Sequence, residues 1–161
     1  MAELIKVGMA DMKVAHHPSV LTTLGLGSCV GIALFDNRKK IIGLAHIMLP
    51  SSAISTSQAN RAKFADTCIA DLVEEMQHVG ADRRNLIAKI AGGAQMFAFS
   101  SVNETMKIGQ RNTEATKVIL GGLKIPILAE DTGGNYGRTI EIASDDGRLM
   151  VKSIGFGIKY I

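Results

Sequence analysis

The sequence predicts an α+β fold, a sandwich in which two helices pack on mainly antiparallel sheet. Three observations carry this expectation. Residues 29–35, CVGIALF, and 41–49, IIGLAHIML, are apolar runs parted by the polar stretch DNRKK, the pattern of a β-hairpin. Phe64, Cys68, Ile69, Leu72, Val73, Met76 and Val79 recur at helical spacing. Short apolar runs in the second half alternate with turns rich in Gly and Asp, so strand content exceeds helix content.

Residues 4–15 and 20–24 read as strands, with HHPS as the loop between them. The two hairpin runs are apolar on both faces, which demands cover on two sides. PSSAISTSQ leads as a loop into the first helix. Asp71, Glu74, Glu75 and Gln77 lie mostly off the apolar stripe of that helix, and Gly80 stops it. NLIAKIA at 85–91 is a strand closed by Gly92 and Gly93. Asn112 is suited to cap a second helix that runs to about Leu120 and ends at Gly121 and Gly122. IPILAED at 125–131 is a further strand. RTIEIA and RLMVKSI flank SDDG as a second hairpin, joined to the preceding strand by TGGNYG. No linker, repeat or low-complexity segment divides the chain, so residues 1–161 read as a single domain.

Composition narrows the function. The chain is 47% hydrophobic but only 4% aromatic, without Trp, so its core relies on Ile, Leu, Val, Met and Ala. The net charge of +3 is mild and the cations are scattered. The densest group, Arg38, Lys39 and Lys40, sits in the hairpin turn. No basic stripe interleaves with aromatics, which argues against nucleic acid. Two cysteines do not make a secreted disulfide scaffold. The first residues are partly acidic and show no signal-peptide core. The uncharged run around Cys29 is broken by Gly, Ser and Thr and stops at Asp36, a poor membrane span. A cytoplasmic protein without membrane insertion is expected. Four histidines and two cysteines show no pair at zinc spacing, so no metal is expected. Gly92-Gly93 and DTGGNYG lack the P-loop lysine and the dinucleotide pattern, so they read as turns and no cofactor is expected.

The stretch LGLGSCV places Cys29 at a glycine-rich corner just before a buried strand. A lone cysteine at a strand start is ordinarily a small core residue. Here the hairpin supplies a reason for another role. With the loop centred on Asn37 and Arg38, and Asp36 opposite Lys39, Cys29 falls opposite His46. Partners so placed share a face with Cβ atoms about 4.5–5.5 Å apart. The small residues Gly31 and Ala33 follow on that face and would leave room for a ligand. Imidazolium beside a thiol lowers its pKa toward the reactive thiolate, and the ring can return the proton to a leaving group. Thr22 and Thr23 both lie just upstream with hydroxyls able to orient the ring. Gly27 and Ser28 can turn backbone N–H groups toward an oxyanion. Cys68 lies in the helical apolar stripe and reads as core. His16 and His17 read as loop residues, and His78 suits a helix C-terminus. Arg111, at the start of the second helix, reads as a solvated arginine.

In order and spacing, TLGLGSCVGIALFD and GLAHIMLP, with NRAKFAD, KIAGGAQMF, IGQRN, EDTGGNYGRTI and the closing hairpin, resemble the CheD family of chemoreceptor glutamine deamidases. The resemblance covers nearly the whole chain. It implies an α/β/β sandwich similar to the catalytic domain of deamidating bacterial toxins. It implies a triad of Cys29 as nucleophile, His46 as acid and base, and Thr23, rather than Thr22, as the residue that orients the histidine. It implies hydrolysis of glutamine side chains on methyl-accepting chemotaxis receptors to glutamate and ammonia. It also implies binding to CheC, a phosphatase of the response regulator CheY. Two other readings fit the same residues. One is a non-catalytic adaptor that binds CheC and receptors. The other is a different thiol enzyme, a peptidase or a transglutaminase.

Overall fold

The computed structural model describes residues 2–54, 60–96 and 107–161. Among these, ten strands form two five-stranded sheets, and two α-helices cover one of them. The strands are β1 (Glu3–Lys6), β2 (Asp11–His16), β3 (Ser19–Leu26), β4 (Val30–Asp36), β5 (Ile41–Ile47), β6 (Leu86–Gly92), β7 (Ile127–Thr132), β8 (Arg138–Ala143), β9 (Leu149–Ser153) and β10 (Gly157–Tyr160). The helices are α1 (Ala65–His78) and α2 (Ile108–Gly122). The central sheet has the order β2-β5-β4-β6-β7, and the outer sheet β1-β3-β8-β9-β10. Only β1–β3 and β6–β7 pair in parallel.

Alternation along β4 and β5 explains why both runs are apolar throughout. Val30, Ile32 and Leu34, with Ile41, Ala45 and Ile47, join Cys68, Ile69, Leu72 and Met76 of α1 in one core. Cys29, Ala33 and Phe35, with Ile42 and Leu44, join Leu21, Leu26, Ile140, Ile142 and Val151 of the outer sheet in a second. The layers are therefore helices, sheet, sheet, the sandwich that the sequence led one to expect. Helix α1 crosses β5 at Gly43, where a Cβ would stand 2.8 Å from Met76 Sδ. Cys68 is fully buried on the inward stripe of α1, and burial pushes its thiol up to about 12. His78 is the last residue of α1.

Four local expectations are corrected. The stretch 4–15 is two strands in different sheets, β1 beside β3 and β2 beside β5, because apolar alternation does not report which sheet a strand joins. Strand β10 was not anticipated, since its four residues are all exposed and carry no alternation. Asn112 is not the N-cap of α2, which starts four residues earlier; it lies inside the helix and is fully buried. The β4–β5 turn spans four residues, 37–40, not two. Asp36 Oδ1 accepts the N–H groups of Arg38 and Lys39, each at 3.0 Å, and this side-chain clamp holds the longer turn. The ladder accordingly pairs Asp36 with Ile41 and Gly31 with His46.

Candidate active site

Strand β3 ends in an irregularity. Its pairing with β8 slips between Thr23 and Leu26, and Gly25 takes φ +73°, a left-handed conformation that glycine adopts without strain. After Leu26 the chain leaves the outer sheet, and it enters the central sheet at Val30. The three carbonyls of this crossing are all held. Gly27 O accepts from Ala94 N at 2.9 Å, Ser28 O from Asn112 Nδ2 at 2.9 Å, and Cys29 O from Gly93 N at 2.8 Å. Gly92, at φ +109°, sits so close that a Cβ there would collide with the Cys29 carbonyl. The corner approaching Cys29 is thus a fastened crossing between sheets.

The two-residue lengthening of the turn moves Cys29 off the position directly opposite His46, where Gly31 stands. The shift is even, so the face is kept. Cys29 and His46 both belong to the layer between the sheets, in a diagonal relation. The space above Gly31 is not open for a ligand: a Cβ there would stand 2.5 Å from Ile140 Cδ1 and 3.0 Å from Leu26 Cδ1.

Thr23 enters the same layer from the outer sheet. Its Oγ1 lies 2.7 Å from His46 Nδ1 and 2.7 Å from the Val7 carbonyl. A hydroxyl has one proton, and a carbonyl can only accept. The proton therefore goes to Val7 O, and His46 Nδ1–H donates to Thr23 Oγ1. This leaves Nε2 with its lone pair, buried and without a hydrogen-bond partner. Thr22, the alternative from spacing, instead donates to the Ile140 carbonyl at 2.9 Å. Val7 was not legible as a site residue, because its contribution is a backbone carbonyl placed by the step from β1 toward β2. Its N–H is held by Thr22 O at 2.7 Å.

Electrostatics correct the expected ion pair. Burial pushes the Cys29 thiol up, opposed in part by its own backbone N–H. Burial pushes the His46 imidazole down. Both shifts favour neutral thiol and neutral imidazole, because burial penalises the charged form of each. The Gly27 N–H donates to Gly25 O at 3.1 Å, so Gly27 shapes the corner and its N–H is engaged there. Exposed Leu24 flanks the corner, as does exposed Met96, whose Cγ lies 3.2 Å from where a Gly27 Cβ would be. They give the approach an apolar rim. Arg111 stands in the first half of α2 and is exposed.

A family model described as CheD chemotactic sensory transduction matches residues 48–153. The chain is 58% identical over 160 residues to the probable chemoreceptor glutamine deamidase CheD of Caldanaerobacter subterraneus subsp. tengcongensis, covering 99% of each protein. It is 52% identical over 162 residues to the chemoreceptor glutamine deamidase CheD of Halalkalibacterium halodurans, covering 100% of each. Among solved structures, the hypothetical protein YfiH of Bacillus licheniformis is similar at a TM-score of 0.49 and 16% identity, over 76% of this chain and 50% of that one. With more than half of its residues matched by the family model and its full length shared with such relatives, the chain belongs to the CheD family.

Proposed function

We propose that this chain is a protein-glutamine deamidase acting on chemoreceptors, with residues 1–161 as one catalytic domain. The observation that carries the reading is the relay Val7 O, Thr23 Oγ1, His46 Nδ1, which leaves a bare Nε2 in the layer that holds Cys29. As a receptor glutamine enters, Cys29 Sγ attacks its amide carbon and His46 Nε2 takes the thiol proton. Because the resting pair is neutral, that transfer accompanies the attack. The oxyanion is met by backbone N–H groups of Ser28 and Cys29, the latter already turned toward the sulfur. His46 then gives its proton to the leaving nitrogen, ammonia departs and a thioester remains. Water enters, loses a proton to Nε2 and attacks the thioester. The products are glutamate and the restored thiol. In sum, one amide and one water become one carboxylic acid and one ammonia.

The substrate places the enzyme at the cytoplasmic bundle of receptors, and no described helix is long and apolar enough to cross a membrane. Incubation with receptor cytoplasmic fragments, followed by peptide mass analysis, tests the reading. Amide-to-acid conversion at particular glutamines, with ammonia release and no chain cleavage or amine incorporation, is expected, and Cys29→Ala should abolish it. Unchanged peptides from a panel of receptors would overturn it. CheC is the partner that family membership suggests, and titration calorimetry with purified CheC tests that complex. The adaptor reading draws on exposed Ile154, Phe156, Ile158 and Tyr160 around β10. It predicts normal chemotaxis in cells carrying a folded Cys29→Ala protein.

A further inference from the structure

The β4–β5 ladder stops at Val30 and Ile47. The next rung in register would be Cys29 with Met48, on the side of the ladder where Cys29 and His46 stand. A side chain from another element takes its place. Asn112, in the second turn of α2, donates from Nδ2 to Ser28 O at 2.9 Å and to Met48 O at 2.9 Å. Ser28 O belongs to the peptide that leads into Cys29, and Met48 lies two residues beyond His46. Both amide protons are engaged, and the amide orientation is settled, since exchanging its ends would set Oδ1 against two carbonyls. Oδ1 is buried and has no hydrogen-bond partner. A buried oxygen without a partner is a cost to the fold, so the contribution of this residue lies in its two donated bonds.

The helix is built to bring Asn112 there. At Gly109, one turn earlier, a Cβ would collide with the carbonyls of Gly93 and Ala94, the residues whose N–H groups hold Cys29 and Gly27. Thr116 donates to the Asn112 carbonyl at 2.8 Å, one turn later. Gly109, Asn112, Thr116 and Leu120 are the buried residues of α2; Asn112 bonds to the crossing itself, and Gly109 lies against Gly93 and Ala94, which hold it.

We propose that Asn112 is a positioning residue of the active site, a side-chain rung that holds the nucleophile crossing and the end of the histidine strand at a fixed separation. The inference rests on the Cys29–His46 reading above. Its role is geometric: small displacements of reacting groups cost rate far more than binding.

Two variants test it. Asn112→Ala removes the donors, and Asn112→Leu removes them while keeping most of the volume. Circular dichroism reports the fold, and receptor deamidation reports kcat and KM. Mass-resolved alkylation of Cys29 by iodoacetamide across pH reports the coupling of thiol to imidazole without any substrate. Wild type should show an inflection that His46→Ala lacks. Folded variants should lose that inflection and at least about tenfold in kcat, with KM within about twofold. A retained inflection, or a kcat within about twofold of wild type, overturns the proposal. So does failure of both variants to fold, for the amide then serves stability. If wild type deamidates no receptor, the function above fails and the alkylation profile alone decides the role of Asn112.

Discussion

Thr23 shows how one hydroxyl decides a protonation state. Its proton is committed to Val7 O, and its lone pair receives the His46 Nδ1 proton, so Nε2 is the basic nitrogen. A hydroxyl brings no full charge, so it orients imidazolium more than it stabilises it. Thr23→Ser keeps both bonds and should hold kcat within about threefold. Thr23→Val keeps the shape but frees the tautomer, and kcat should fall roughly tenfold to a hundredfold, below the 10²–10⁴ of proton transfer itself. Steady-state rates with a receptor fragment make the comparison, and equal rates for the two variants would remove Thr23 from the relay. The residue type and spacing were visible in the sequence. The choice over Thr22 came there from family resemblance; in the structure Thr23 meets His46, while Thr22 bonds to the neighbouring strand.

At the scale of elements, the site is a junction. The end of β6 supports the crossing through Gly92 and Gly93, and the β7–β8 connection supports β6 in turn. Gly133 N donates to Gly92 O at 3.0 Å, and buried Arg138 donates to Gly133 O at 2.9 Å while pairing with Asp131 at 3.1 Å. Gly92→Ala would force a side chain into a left-handed conformation and into the Cys29 carbonyl. The backbone strain alone costs about 1–3 kcal/mol. The variant should melt at a lower temperature and, where still folded, should alkylate Cys29 with an altered pH profile; a wild-type melting curve would contradict this account. The strand ending at Gly92 was readable from pattern. Its contact with the Cys29 carbonyl was not, because such closeness arises between segments about sixty residues apart. Asn112 left a fainter trace. Gly109, Asn112, Thr116 and Leu120 recur at helical spacing, and polar members of an inward stripe point to a buried task.

For the whole molecule, burial governs both titration and reactivity. The folded state holds His46 neutral, with its pKa below the ordinary 6.5. As pH falls below that value, the unfolded chain binds a proton that the folded chain does not. Stability therefore falls on acidification, by up to about 1.4 kcal/mol per pH unit for this one group, until folded His46 itself protonates. Denaturant titrations across mildly acidic pH should show a steeper loss for wild type than for His46→Gln; parallel losses would show that the ring is not held neutral. The same packing separates the two thiols. Cys68, with no exposure under α1 and its thiol at about 12, should resist iodoacetamide in the native protein, while Cys29, also buried but 7% exposed, should react faster. Both should react once the chain is denatured. Native labelling of Cys68 at the rate of Cys29 would show that the helix layer opens.

The sequence by itself determined the periodic elements, the two-sided burial of the central hairpin and the placing of a cysteine at a glycine-rich corner near a histidine strand. These are local properties, written in alternation, helical spacing and turn residues. Only the tertiary structure decided which sheet each early strand joins, that Asp36 lengthens the hairpin turn, that a Val7 carbonyl sets the tautomer through Thr23, and that Asn112 closes the ladder from α2. Its burial also pushes the Cys29 thiol pKa up and the His46 imidazole pKa down. Each of these depends on groups remote in sequence meeting in a buried layer, where burial and single hydrogen bonds outweigh any local preference.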